Sequence, residues 1–94
     1  MELSYKGSFF RDLDDINNRY LVLAIKEKIN EIESVKKQEQ ISRLKQFRKR
    51  SKVWYKIEIH VKNNSKIYWM LCIIRKNNVE LRRIKPESYF KKNF

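Results

Sequence analysis

The period of the apolar residues changes once along this chain, and that change restricts the fold more than any other feature. Phe9, Leu13, Ile16 and Tyr20 recur at steps of three and four, one face of a helix, and Leu21, Ile25, Ile29 and Ile32 then form a second such stripe. Val53, Tyr55, Ile57, Ile59 and Val61 instead alternate with Trp54, Lys56, Glu58 and His60, the period of a half-buried strand. Helices gathered ahead of strands point to an α+β fold, with a helical hairpin on one face of an antiparallel sheet.

The details follow that plan. Glu2 to Lys6 reads as a short strand added at a sheet edge, and Ser8 as the N-cap of the first helix. Asp12, Asp14 and Asp15 follow, and the first is close enough to the helix start to favour its dipole. Asn17-Asn18 separates the two helices, because Asn side chains compete with the helical backbone for hydrogen bonds. Residues 36–52 are polar and basic and read as a cationic connector holding at most a helical turn over 41–47. KIYWMLCII is apolar on both faces, as a central strand requires. Lys62-Asn63-Asn64-Ser65 and RKNN have turn composition, VELRRIK is a third strand ending at Pro86, and ESYFKKNF closes the chain as a short helix or arm. In the strand over 53–61 the helix-facing set is Tyr55, Ile57 and Ile59, which leaves Trp54, Lys56, Glu58 and His60 on the open face.

At 94 residues the chain suits one domain over 1–94. Its lone cysteine, Cys72, cannot form an internal disulfide and reads as a small buried hydrophobe. Its start lacks a basic segment leading into an apolar run, and the longest apolar stretch, Ile67 to Ile74, is too short to span a bilayer. A cytoplasmic protein without a membrane partner is expected. No His/Cys cluster has metal-ligand spacing, and the only glycine, Gly7, cannot build a phosphate-cradling loop, so neither metal nor cofactor is expected.

Charge carries the functional signal. Residues 1–35 have a net charge of −2 and residues 36–94 a net charge of +14. Like charges on a compact body repel, so an anionic partner is the natural compensation; the alternative is a basic solubility coat. Arg48, Lys49, Arg50 and Lys52 are the densest cations, and their plain reading is a solvated loop. Trp54 is a candidate platform for a stacked base, whereas Trp69, inside the apolar run, reads as core. Arg82 and Arg83 alternate, so only one of them reaches the open face, and Lys85 shares its side with Arg83. Glu58, between Lys56 and His60, reads as a general base or as a member of a cross-strand ion pair; His60 is a catalytic candidate or simply exposed.

The order and local wording resemble the RelE/ParE family of bacterial type II toxins. MELSYKGSFFRDLDDI resembles that family's opening strand and helix start, WYKIEI its Tyr-Lys/Arg-Ile strand, and IYWMLCIIRKNNVELRRI its last hairpin. The resemblance implies a toxin neutralised by an antitoxin that lays an acidic segment over the basic face. It implies ribosome-dependent cleavage of mRNA, in which cations stabilise a phosphorane formed by attack of the ribose 2′-hydroxyl. On that pattern the catalytic candidates are Lys56, Glu58, Arg83 and Tyr89, and the RNA-binding candidates are Arg48, Lys49, Arg50, Lys52, Trp54, His60, Arg82 and Lys85. The sequence departs from the pattern where Glu58 stands for a second Lys, Trp69 for an Arg, and Pro86-Glu87 for a basic pair. Those departures equally fit the branch that inhibits DNA gyrase without cutting RNA. A basic RNA-binding module without toxicity is the remaining alternative.

Overall fold

The computed structural model describes residues 1–61 and 66–93. The turn expected over 62–65 lies outside the described residues. In chain order the elements are β1 (Glu2–Tyr5), α1 (Gly7–Asp14), α2 (Arg19–Ser34), β2 (Leu44–Lys49), β3 (Lys52–Ile59), β4 (Tyr68–Arg75), β5 (Asn78–Pro86) and α3 (Glu87–Asn93). The sheet runs β1-β5-β4-β3-β2. The α+β class holds, but the sheet is mixed: β1 pairs parallel with β5, and every other pairing is antiparallel.

Asn18 explains why the helical stripe breaks where it does. Its side-chain oxygen accepts the backbone N–H of Tyr20 at 2.9 Å and of Leu21 at 3.3 Å, satisfying donors that α2 would otherwise leave open. Phe9 of α1 and Leu21, Ile25 and Ile32 of α2 share one core with Ile57, Ile59, Met70, Cys72, Val79, Leu81 and Ile84 of the sheet. Full burial of such a side chain contributes about 1.5–3 kcal/mol. Strand β4 is apolar on both faces for a concrete reason. Met70 and Cys72 enter that core, while Trp69 and Leu71 pack on the other side with Phe90 of α3.

The stretch 36–52 is not a connector. Leu44–Lys49 is an edge strand paired with β3, with Phe47 opposite Trp54, and no α-helical turn forms over 41–47. The hairpin closes through Arg50 and Ser51 at φ of 53° and 64°, the positive angles a two-residue β-turn demands. Neither residue is Gly or Asn, so the turn carries no compositional mark.

Strand β5 departs from simple alternation. Leu71 lies opposite Arg83 but Cys72 opposite Leu81, so a bulge inserts one residue into β5. Val79, Leu81 and Ile84 therefore all reach the helix-side core. Strand β1 covers β5 only from Asn78 to Leu81. Beyond it, α1 takes over the edge: Ser8 donates its hydroxyl to the Arg82 carbonyl at 2.7 Å, and Asp12 accepts the Ile84 N–H at 3.1 Å. Ser8 is thus not the N-cap; Lys6 occupies that position without a side-chain bond, and the Ser8 hydroxyl serves the sheet instead. Edge groups of a sheet need partners, and here a helix supplies them.

Candidate nucleic-acid interface

The sheet face away from α1 and α2 carries a second, smaller apolar cluster. Trp69, Leu71 and Phe90 are its buried members, with Phe47, Trp54, Ile67 and Tyr89 packed around them. Cations lie over these rings. Lys56 Nζ is 4.4 Å from the Trp69 centroid, 5.7 Å from Phe47 and 5.8 Å from Phe90, and Lys45 reaches Trp69 at 5.4 Å. Lys52 and Arg82 cover Trp54 at 4.7 and 5.5 Å. Arg83 and Lys85 cover Tyr89 at 5.5 and 5.6 Å. The pairing register causes this: Lys45 faces Lys56 and Phe47 faces Trp54 across β2 and β3, while Leu71 faces Arg83 and Trp69 faces Lys85 across β4 and β5. Cations held over rings are drawn to the ring quadrupole while their stems cover apolar surface.

The expectation that Arg82 and Arg83 part to opposite faces is corrected by the bulge. The inserted residue resets the alternation, so Arg82 joins Trp54 and Arg83 joins Tyr89 on the same side. Their ion pairs differ. Arg82 Nε donates to Glu80 at 2.8 Å. Arg83 donates to Asp12 through Nε at 2.7 Å and Nη2 at 2.9 Å, and Lys85 Nζ approaches the same carboxylate at 3.1 Å. Burial of Asp12 opposes its ionisation, but the bonds from Arg83, the Ile84 N–H and Lys85 outweigh that and hold its carboxyl below the usual range. The hydrogen bonds to Asp12 in turn push the Arg83 guanidinium up.

Of the residues singled out from sequence, Lys52, Trp54, Lys56, Arg82, Arg83, Lys85 and Tyr89 converge on this face. Lys49, Arg50, Lys52 and Trp54 line a depression of about 290 Å³ at the hairpin tip, and Lys49 Nζ donates to the Asn93 carbonyl. Arg48 lies opposite Val53, one step out of phase with Phe47. His60 does not join, and Glu58, although opposite Trp69 in the register, turns its carboxylate to other partners. Glu58 is 3.0 Å from both Arg43 Nη1 and His60 Nε2, and the three line a cavity of about 170 Å³ with Ala24, Lys28 and Glu31 beside α2. The hydrogen bond from His60, then that from Arg43, lowers the Glu58 pKa, which makes it a weak proton acceptor near neutrality. The ion-pair reading of Glu58 is the one the geometry carries. Trp69 is core, as its apolar neighbours imply.

Sequence reasoning missed Lys45 and Phe47 because they lie in the stretch read as a connector. It missed Asp12 as a partner of β5 because a helix-start Asp reads as a dipole effect. Among the described residues, no group of three or more His, Cys, Asp or Glu side chains is placed to hold a metal. No helix among them is long and apolar enough to cross a membrane.

No protein-family model matches the chain, and no curated protein sequence matches it. Among solved structures, the crystal structure of the RelB-RelE antitoxin-toxin complex from Methanococcus jannaschii contains a chain that superposes with a TM-score of 0.66, over 97% of this chain and 98% of that one. The two sequences are 17% identical, so the likeness is one of fold. The chain therefore has a RelE-like fold, the fold to which its strand and helix wording already pointed.

Proposed function

We propose that this chain is the toxin of a toxin–antitoxin pair, acting as a single cytoplasmic domain that engages mRNA on the ribosome through its cation–aromatic face. The observation that carries this reading is the placement of Lys52, Lys56, Arg82, Arg83 and Lys85 over the rings of Trp54, Trp69 and Tyr89. Single-stranded RNA offers flat bases and a phosphate at each step, and a surface of rings interleaved with cations meets both. Trp54 and Tyr89 offer ring surface to bases, while the cations take phosphates. If the bound strand is also cut, Lys56 and Arg83 stabilise the additional charge of the phosphorane, with Tyr89 as stacking partner or proton donor. Glu58, whose carboxylate is occupied by Arg43 and His60, has no part in the proposed step. The antitoxin supplies the acidic segment that covers the same face.

Expression alone should arrest growth, and co-expression with a small acidic protein encoded beside it should restore growth; unimpaired growth overturns the toxin reading. Primer extension on mRNA from arrested cells then separates the activities. Codon-phased cuts that fall about 100-fold in Lys56→Ala support cleavage. Uncut message with stalled ribosomes supports occlusion of the decoding site. Uncut message with a DNA-damage response would move the target to gyrase.

A further inference from the structure

We propose that Asp12 is a positioning residue for RNA binding, its carboxylate fixing Arg83 and Lys85 as a phosphate clamp beside Tyr89. The inference rests on the RNA-binding reading and extends it to a residue on the far side of β5.

Among the described residues Asp12 is the one buried charged side chain, 5% exposed, and both of its oxygens are engaged. One oxygen accepts Arg83 Nε at 2.7 Å and the Ile84 N–H at 3.1 Å, and the other accepts Arg83 Nη2 at 2.9 Å and lies 3.1 Å from Lys85 Nζ. A guanidinium has five N–H donors in a rigid fork, so two bonds to Asp12 leave three in a set orientation. Arg83 and Lys85 keep side-chain exposures of 32% and 28%, enough to meet a phosphate. Both heads lie within 5.6 Å of the Tyr89 ring, so phosphate and base would be met at adjacent points. The bulge is what makes this possible, because it turns Arg83 to the face on which Tyr89 lies. Holding two long side chains in advance avoids the ordering cost that free ones incur on binding.

Simple charge counting predicts the opposite effect for Asp12. Its carboxylate cancels one positive charge at the face, so removing it should tighten binding if only the total mattered. The sign of the change therefore decides. With a fluorescent uridine-rich single-stranded RNA and anisotropy as readout, Asp12→Asn should weaken binding roughly tenfold, although the protein gains a positive charge. In an Arg83→Gln background the same change should alter Kd less than about twofold, since the route through Arg83 is already lost. Circular dichroism melts establish that each variant is folded at the temperature used. Should Asp12→Asn fail to fold, the wild-type protein answers: the Arg83 Nε–H resonance should shift as RNA is added, and an unshifted resonance overturns the proposal. Binding equal to or tighter than wild type in folded Asp12→Asn also overturns it, while leaving the RNA-binding reading intact. Failure of the wild-type protein to bind the RNA would overturn both.

Discussion

Burial sets the chemistry of two residues on opposite sides of β5. Cys72 is fully enclosed in β4, and desolvation of the thiolate pushes its thiol up to about 12. At pH 8 it is therefore a thiol without access to reagent. An aromatic disulfide reagent should label native protein only at the rate of unfolding, and at once in denaturant; rapid labelling of the folded chain would contradict this burial. Asp12 is the opposite case, a buried group kept charged. Its folded pKa is lowered, so its contribution to stability is complete above the unfolded value of about 4 and is lost as pH falls through the lower folded value. Arg83 and Lys85 stay partly exposed and strand no fully buried charge, so losing the hydrogen bonds to the carboxylate costs about 1.5–3 kcal/mol, and Asp12→Asn should unfold at lower urea concentration at pH 7. The same variant should lose less additional stability than wild type as pH falls below about 4, because it has no proton to take up there. Parallel losses in the two proteins would show that other carboxylates control the acid limb.

At the level of elements, what composition made legible was whatever a repeated period encodes. The helical hairpin, β3, β4 and the face assignments of Tyr55, Ile57 and Lys56 all follow from spacing, and each lies in a segment with several apolar residues in phase. Strand β2 does not. It is an edge strand in which only Leu44, Phe47 and Lys49 are partly sheltered and Lys45, Gln46 and Arg48 are exposed, so nothing in its composition separates it from a loop. The β5 bulge is invisible for a different reason: it depends on pairing with β4, and single-strand alternation cannot report a partner's register. The Ser8 and Asp12 contacts are likewise long-range. The primed geometry of the β2–β3 turn gives a direct test, since both its residues hold left-handed angles that side chains disfavour. Ser51→Gly should stabilise the protein by about 1 kcal/mol, read as a higher urea midpoint with an unchanged slope. A lower midpoint would mean that Ser51 makes a contact worth more than the relief of its backbone.

For the whole molecule, the relevant quantity is the distribution of charge between two faces rather than its total. α2 presents Glu27, Glu31 and Glu33 among its lysines, and Lys28 is tied to Glu31 at 3.0 Å, whereas the cation–aromatic face gathers cations from β2, β3 and β5. An anion approaching this body is steered to one side of the sheet. Binding through phosphates releases condensed counterions, so the logarithm of the association constant should fall linearly with the logarithm of salt concentration. For single strands the slope is about −0.7 per phosphate engaged, so one phosphate each for Lys52, Lys56 and Arg82 and one for the Arg83–Lys85 clamp would give about −2.8. Lys52→Ala should flatten the slope by about 0.7, because it removes a cation at the open end of the face. Lys26→Ala, an equal change of net charge on exposed α2, should leave the slope where it was. Equal flattening by both variants would mean that RNA responds to net charge alone, and the ordered face would then have no role in holding it.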